Sequence, residues 1–143
     1  MKEVKWGIIA AGSIANAFAH SIKYSENAKL SCVLGRSEEK VNSFAEKHNC
    51  QPYLDLDSFL DSDIEAVYIA TPHDSHFHYS MEVIKRKLHV LCEKPLSVNS
   101  TEAMILMNEA KKNDVFLMEA FMYITHPQTL EILKICKKYL KDT

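Results

Sequence analysis

Short apolar runs separated by longer stretches of helical spacing constrain this chain more than any other feature of it. Val4 to Ile9, Leu30 to Leu34, Ala66 to Ala70, His89 to Cys92 and Val115 to Met118 are such runs, with a weaker one at Gln51 to Tyr53. Runs this short and this apolar suit strands buried on both faces, and the segments between them are long enough for crossover helices. Ile14, Phe18 and Ile22 share one helix face, as do Val41, Phe44, Ala45 and His48, and then Phe77, Met81 and Ile84. The pattern predicts repeated βαβ units: an α/β, doubly wound, mostly parallel six-stranded sheet with helices on both faces. Helix starts are marked by Ser37 before Glu38 and Glu39, by Asp74 or Ser75, and by Asn99 with Glu102 in a capping-box arrangement. A lysine-rich helix, Leu130 to Leu140, closes the chain, and its lysines read as a solvated face near a helix C-terminus rather than a membrane-surface element.

With 143 residues there is room for one domain and its core, not two. Apolar residues at 47% and charged residues at 25% are ordinary for a globular protein. A net charge of -2 and a pI near 6.4 leave no cationic excess to neutralise a nucleic-acid backbone, so nucleic acid is not an expected partner, while small anions can still bind through local geometry. Cys32, Cys50, Cys92 and Cys136 form neither a CxxC pair nor a zinc-ligand spacing, and read as reduced, buried thiols. Met1 to Lys5 followed by Trp6 to Ala19 imitates a secretory leader, but Gly12, Ser13 and Asn16 interrupt the apolar stretch and fit a strand, turn and helix better. No stretch is long enough to span a membrane, and the cytoplasm is the expected compartment.

The first strand runs into Ala10-Ala11-Gly12-Ser13-Ile14-Ala15, the layout of the G-x-G-x-x-G/A dinucleotide turn of a Rossmann sheet with alanine in the first and third places. Alanine is a permitted variant in the third place. In the first, it implies a turn whose backbone angles alanine tolerates. Gly12 would let the backbone approach a pyrophosphate, whose charge the amides and dipole of the following helix stabilise. The second strand then ends in Gly35-Arg36-Ser37, where an acidic residue would bind a ribose 2′-hydroxyl. Gly35 cannot do so, whereas Arg36 and Ser37 suit a 2′-phosphate, so NADP(H) is the expected cofactor and NAD(H) the alternative. Thr71, Pro72 and His73 would flank the crevice where the strand order reverses, and His76 would either bond locally or face that cleft. His76 and His78 point in different directions on a helix, so no metal site is expected among His73, His76 and His78.

The segments Trp6-Gly7-Ile8-Ile9, Ala70-Thr71-Pro72-His73, Glu93-Lys94-Pro95 and Met118-Glu119-Ala120-Phe121-Met122-Tyr123, followed by His126-Pro127, carry a resemblance. Together they resemble the N-terminal domain of the glucose-fructose oxidoreductase/inositol dehydrogenase (Gfo/Idh/MocA) family, most of all its NADP-dependent dihydrodiol and D-xylose dehydrogenases. The resemblance implies hydride exchange between a sugar or diol carbinol and a nicotinamide. It implies that Lys94 is the catalytic residue beside the reacting hydroxyl, where an ammonium stabilises alkoxide character and partial desolvation would suit it to proton relay. It adds Glu93 and Lys94 to Ala10, Ala11, Gly12, Ser13, Ile14, Arg36, Ser37, Thr71, Pro72, His73 and His76 as cofactor-side candidates. Tyr123 and His126 become substrate-side candidates, although Ile124 and Thr125 stand where the family usually has an arginine and an aromatic residue.

The same resemblance implies a division into residues 1–125, the dinucleotide domain, and residues 126–143, a helix leading to a second domain outside this sequence. Without that domain the chain is expected to bind cofactor yet turn over little, and to self-associate through the surface around Phe121, Met122 and Tyr123. A stand-alone dinucleotide-binding or regulatory module is the competing reading. Glu93-Lys94-Pro95 speaks against it, since a pure binding module has no evident use for Lys94.

Overall fold

A computed structural model describes residues 2–139; Met1 and residues 140–143 lie outside them, including the Leu140 expected to end the last helix. Six strands form one sheet: β1 (Val4–Ile9), β2 (Ala28–Leu34), β3 (Gln51–Tyr53), β4 (Ala66–Ile69), β5 (His89–Cys92) and β6 (Leu117–Glu119). Their order is β3-β2-β1-β4-β5-β6, and every pairing is parallel. The doubly wound Rossmann arrangement is therefore present, with its reversal of strand order between β1 and β4.

Side chains alternate across the sheet, and both faces are covered. Ile8, Val33 and Tyr68 pack under α1 (Ser13–Ser21) and α2 (Glu38–His48). Ile9, Cys32, Leu34, Val67, Ile69, Val90 and Cys92 face the opposite way, toward α3 (Leu56–Leu60), α4 (His76–Lys85) and α5 (Ser100–Lys112). Gly7 belongs to this packing, because a Cβ there would stand 2.6 Å from the Phe59 ring. Burial pushes the Cys32 thiol up to about 11 and the Cys92 thiol up to about 12, while Cys50 and Cys136 are only half-buried.

Two helices present different faces from those the spacing predicts. Along α1, Ala15 and Ala19 lie against the sheet and Ile14 is 38% exposed, because the third place of the dinucleotide turn brings helix and strand into close contact. Phe18 packs at the border, stacked on Tyr68 at 4.1 Å. In α4 the innermost residues are His76, Ser80, Val83 and Ile84, with Phe77 and Met81 on the shoulder. The expected face of α2, Val41, Phe44, Ala45 and His48, is the buried one.

The last strand begins two residues later than its apolar run. Val115 donates its N–H back to Ala110 at the end of α5, leaving Leu117, Met118 and Glu119 to pair with β5. The final helix α6 (Pro127–Tyr139) starts at Pro127, whose missing N–H costs nothing in a first turn, and it has no buried residue. Among the described residues no helix is long and apolar enough to cross a membrane.

Candidate dinucleotide cleft

A cleft of about 1160 Å³ opens at the C-terminal ends of β1, β2 and β4, where the strand order reverses. Ala10, Ala11, Gly12, Ser13, Arg36, Ser37, Thr71 and Pro72 line it, so most of the expected cofactor-side residues converge on one space. Ile14, His73, Glu93 and Lys94 are not among its lining residues. Neither is His76.

The turn itself departs from one expectation. Ala10 has φ 95°, in the left-handed region that favours glycine, so this is not an angle that alanine accepts freely. The conformation is imposed from outside: the Ala10 N–H donates to the Leu34 carbonyl at 2.8 Å, and the Ala70 N–H to the Ile9 carbonyl at 3.0 Å. Gly12, by contrast, has an ordinary φ of -81° at the N-cap of α1. Nothing lies within 4 Å of where its Cβ would stand, so the missing side chain leaves open space directly in front of the helix. No side chain caps α1 and no acidic residue sits in its first turn, which leaves the leading amides and the positive dipole end to an anion. A dinucleotide pyrophosphate fits those donors, because its oxygens need close N–H groups and a positive field.

A network behind the turn fixes it. Asn16 donates from Nδ2 to the Gly12 carbonyl at 3.0 Å, and its Oδ1 lies 3.0 Å from Lys47 Nζ and 2.9 Å from His48 Nε2. Helices α1 and α2 are thus tied together directly beneath the cleft. Burial holds the His48 imidazole below its ordinary value, with Lys23, Lys47 and His20 adding cationic repulsion. Its Nδ1 is buried with no hydrogen-bond partner.

At the β2 rim, a Cβ on Gly35 would come within 2.6 Å of Val41 Cγ2. A side chain at this position would have to displace Val41, so Gly35 and Val41 are packed against each other. Arg36 is exposed on the cleft wall and, among the described residues, takes part in none of the ion pairs. Asn16, Lys40, Lys47, His78 and Tyr79 also line the cleft. Sequence reasoning does not place them in the cleft, because helix faces carry no motif there; it considers His78 only as a metal ligand, and Asn16 stands one turn after Gly12.

The Glu93-Lys94-Pro95 segment leaves β5 beside the cleft, with a cis Lys94–Pro95 peptide bond. Glu93 does not pair with the Lys94 ammonium. Its Oε1 instead accepts the Tyr68 hydroxyl at 2.5 Å, and its Oε2 the Lys94 backbone N–H at 3.3 Å. Burial, then the Glu93 carboxylate, drive the Tyr68 phenol far above its ordinary value, so it stays a donor. Leu96 N–H donates to Glu119 Oε1 at 2.8 Å, which pins the far side of the loop to β6. Lys94 itself is exposed and unpaired among the described residues, rather than partly desolvated as expected.

His76 is the clearest correction. It is fully buried, with Nδ1 2.7 Å from the Pro95 carbonyl and Nε2 2.8 Å from the Thr71 carbonyl, and so cannot touch a cofactor in the cleft. His73 is exposed, its ring edge-on to that of His76 at 5.6 Å. Among the described residues no group of three His, Cys, Asp or Glu is arranged to hold a metal ion. Tyr123 is 61% exposed, and His126 accepts the Gln128 N–H at 3.2 Å, so its ring opens α6.

Comparison with known proteins agrees with this geometry. A profile of the Gfo/Idh/MocA oxidoreductase family, described by its NAD-binding Rossmann fold, matches residues 4–121. A trans-1,2-dihydrobenzene-1,2-diol dehydrogenase of Danio rerio is 32% identical over 136 residues, covering 92% of this chain and 41% of that enzyme. The scyllo-inositol 2-dehydrogenase (NADP(+)) IolU of Bacillus subtilis is 35% identical, covering 92% of this chain and 40% of that protein. Among solved structures, GenD2 from gentamicin A biosynthesis in complex with NAD superposes with a TM-score of 0.89 at 22% identity, covering 95% of this chain and 39% of that one. KijD10, a 3-ketoreductase from Actinomadura kijaniata in complex with NADP, gives 0.88 at 24%, covering 96% and 44%. These two likenesses speak for the fold. The chain spans about 40% of the length of the curated relatives it matches.

Proposed function

The chain belongs to the Gfo/Idh/MocA oxidoreductase family through its NAD-binding Rossmann domain, and on that premise we propose that its cleft binds NADP(H) in preference to NAD(H). The observation that carries the reading is the pairing of an open, uncapped Gly12 turn with an Arg36 that forms no ion pair among the described residues, beside a glycine where a ribose-binding carboxylate would stand. Ala11, Gly12 and Ser13 would hold the pyrophosphate, Arg36 and Ser37 the 2′-phosphate, and Thr71 and Pro72 the far wall. IolU, an NADP(+) enzyme by its name, is a relative consistent with this choice.

When bound, the nicotinamide supplies the two-electron acceptor or donor. Lys94, at the C-terminal end of β5, would orient a sugar or diol hydroxyl and stabilise negative charge developing on its oxygen. Glu93, held by Tyr68, lies on the same loop. An exposed, unpaired Lys94 on a loop pinned by Tyr68, His76 and Glu119 is more than a binding module requires. Residues 1–125 form the dinucleotide domain in this reading, and residues 126–143 lead toward the rest of the substrate pocket, with Tyr123 and His126 near the junction. Because Lys94 is exposed, the 143 residues alone are expected to bind cofactor and turn over poorly, and their apolar terminal surface to self-associate.

Fluorescence titration with both reduced cofactors tests the reading. NADPH should bind at least about tenfold more tightly than NADH, the factor that one charge-assisted contact of roughly 1.5–3 kcal/mol supplies. Arg36→Ala should erase most of that gap without weakening NADH. Tighter binding of NADH by the unaltered protein would overturn the preference. Robust NADPH production from xylose or a trans-dihydrodiol by these residues alone would overturn the inactivity.

A further inference from the structure

We propose that His76 is a positioning residue that locks the Lys94 loop to the wall of the dinucleotide cleft. The inference rests on the reading of the cleft and of Lys94 given above. His76 opens α4, and its ring lies entirely inside the protein between two irregular segments from different strands. Nε2 meets the carbonyl of Thr71, which lines the cleft just after β4; Nδ1 meets the carbonyl of Pro95, the residue after Lys94. Among the described residues neither carbonyl has another hydrogen-bond partner. An apolar side chain of equal size would fill the space but strand the carbonyl that the ring N–H satisfies. The planar ring sets one nitrogen opposite each carbonyl at a fixed separation: the neutral ring donates its single N–H to the carbonyl its tautomer selects and packs against the other, and the imidazolium donates to both. Ser75 stiffens the same wall, its hydroxyl lying 2.9 Å from Thr71 Oγ1 and 2.7 Å from the Pro72 carbonyl. With Leu96 held by Glu119 and Glu93 held by Tyr68, the Pro95 contact completes a three-point hold on the loop that presents Lys94.

Such a strut differs from simple packing in where its loss is felt. In the 143-residue protein without ligand, amide hydrogen exchange is compared for wild type, His76→Ala, His76→Asn and His76→Gln. His76→Ala should speed exchange of the Leu96 amide by roughly tenfold, the factor one buried hydrogen bond carries, while β1 and β2 exchange as in the wild type. His76→Asn, which keeps a donor near the Nδ1 position, should recover most of the Leu96 protection; His76→Gln, which keeps one near Nε2, should recover less. Binding is then read with two probes. NADPH affinity should fall by roughly tenfold in His76→Ala, whereas 2′-phospho-ADP-ribose, which has no nicotinamide to meet the Lys94 loop, should bind as in the wild type. Unchanged Leu96 exchange in all the variants overturns the proposal, and so does faster exchange spread evenly over the sheet. If His76→Ala does not fold, the Asn and Gln variants carry the same comparison. If the wild type binds neither probe, the cofactor reading fails while the exchange result still decides the role of His76.

Discussion

Ala10 occupies a backbone region where a β-carbon costs roughly 1–2 kcal/mol, and the hydrogen bonds on either side of it give the chain no freedom to leave. Ala10→Gly is therefore expected to stabilise the fold by roughly 1 kcal/mol, the relieved strain exceeding the added entropy of an unfolded glycine. Urea unfolding monitored by circular dichroism checks this, and a lower midpoint for the glycine variant would refute it. His48 makes a second claim of the same kind. Burial and the neighbouring cations hold its folded-state value down, so the folded protein resists a proton that the unfolded chain accepts near its ordinary value of about 6.5. The stability it lends is present above that pH and is lost as pH falls below it. Unfolding midpoints at pH 7.5 and 5.5 should differ more for the wild type than for His48→Gln, and equal differences would exclude the assignment. Both residues stand in the sequence without announcing these states. Ala10 is visible as a departure from a glycine pattern, but its φ is fixed by Leu34, which belongs to the next strand.

At the scale of elements, the strands and most helices follow from local patterning, and the departures come from how the elements pack. The capping signal at Asn99 is legible and real: its Oδ1 accepts the Glu102 N–H at 2.9 Å. The return arm lands one residue away, Glu102 accepting from the Val98 N–H at 3.4 Å rather than from Asn99 itself. Asn99→Ala should cost about 1 kcal/mol in thermal or urea unfolding, and a variant as stable as the wild type would show that α5 does not depend on this cap. The inward faces of α1 and α4 were less legible. Hydrophobic size points to Ile14 and Phe77, but how closely a helix approaches the sheet decides which side chains are trapped, and close approach selects Ala15, Ala19 and Ser80 instead. For His76 the sequence offered a local bond or the cleft; its contact with Thr71 is the local one, while the contact with Pro95 was not legible because that residue leaves a different strand.

Across the whole molecule, exposed apolar side chains among the described residues are densest in the stretch from Phe121 to Tyr139, with a second group at Met104, Ile105 and Met107 of α5. Met122 is 80% exposed, and Leu130, Ile132, Leu133 and Ile135 of α6 are about half exposed, on a helix with no buried residue. Surfaces of this kind favour association. Size-exclusion chromatography of the 143 residues should show apparent mass rising with concentration, and Met122→Lys combined with Leu133→Lys should suppress the rise. A concentration-independent monomer of the unaltered protein would argue against it. The amino-acid sequence determined the α/β architecture, the six strands and the place of the Gly12 turn, because periodicity and turn chemistry are properties of neighbouring residues. It also supplied the family motifs that single out Lys94. The tertiary structure alone decided that Ala10 is forced to a positive φ, that Arg36 forms no ion pair among the described residues while the Glu93 carboxylate meets Tyr68 and the Lys94 backbone N–H rather than the Lys94 ammonium, and that His76 is buried between the Thr71 and Pro95 carbonyls. Each of those outcomes depends on which strands the parallel sheet sets side by side, and strand order is fixed by contacts between residues far apart in the chain.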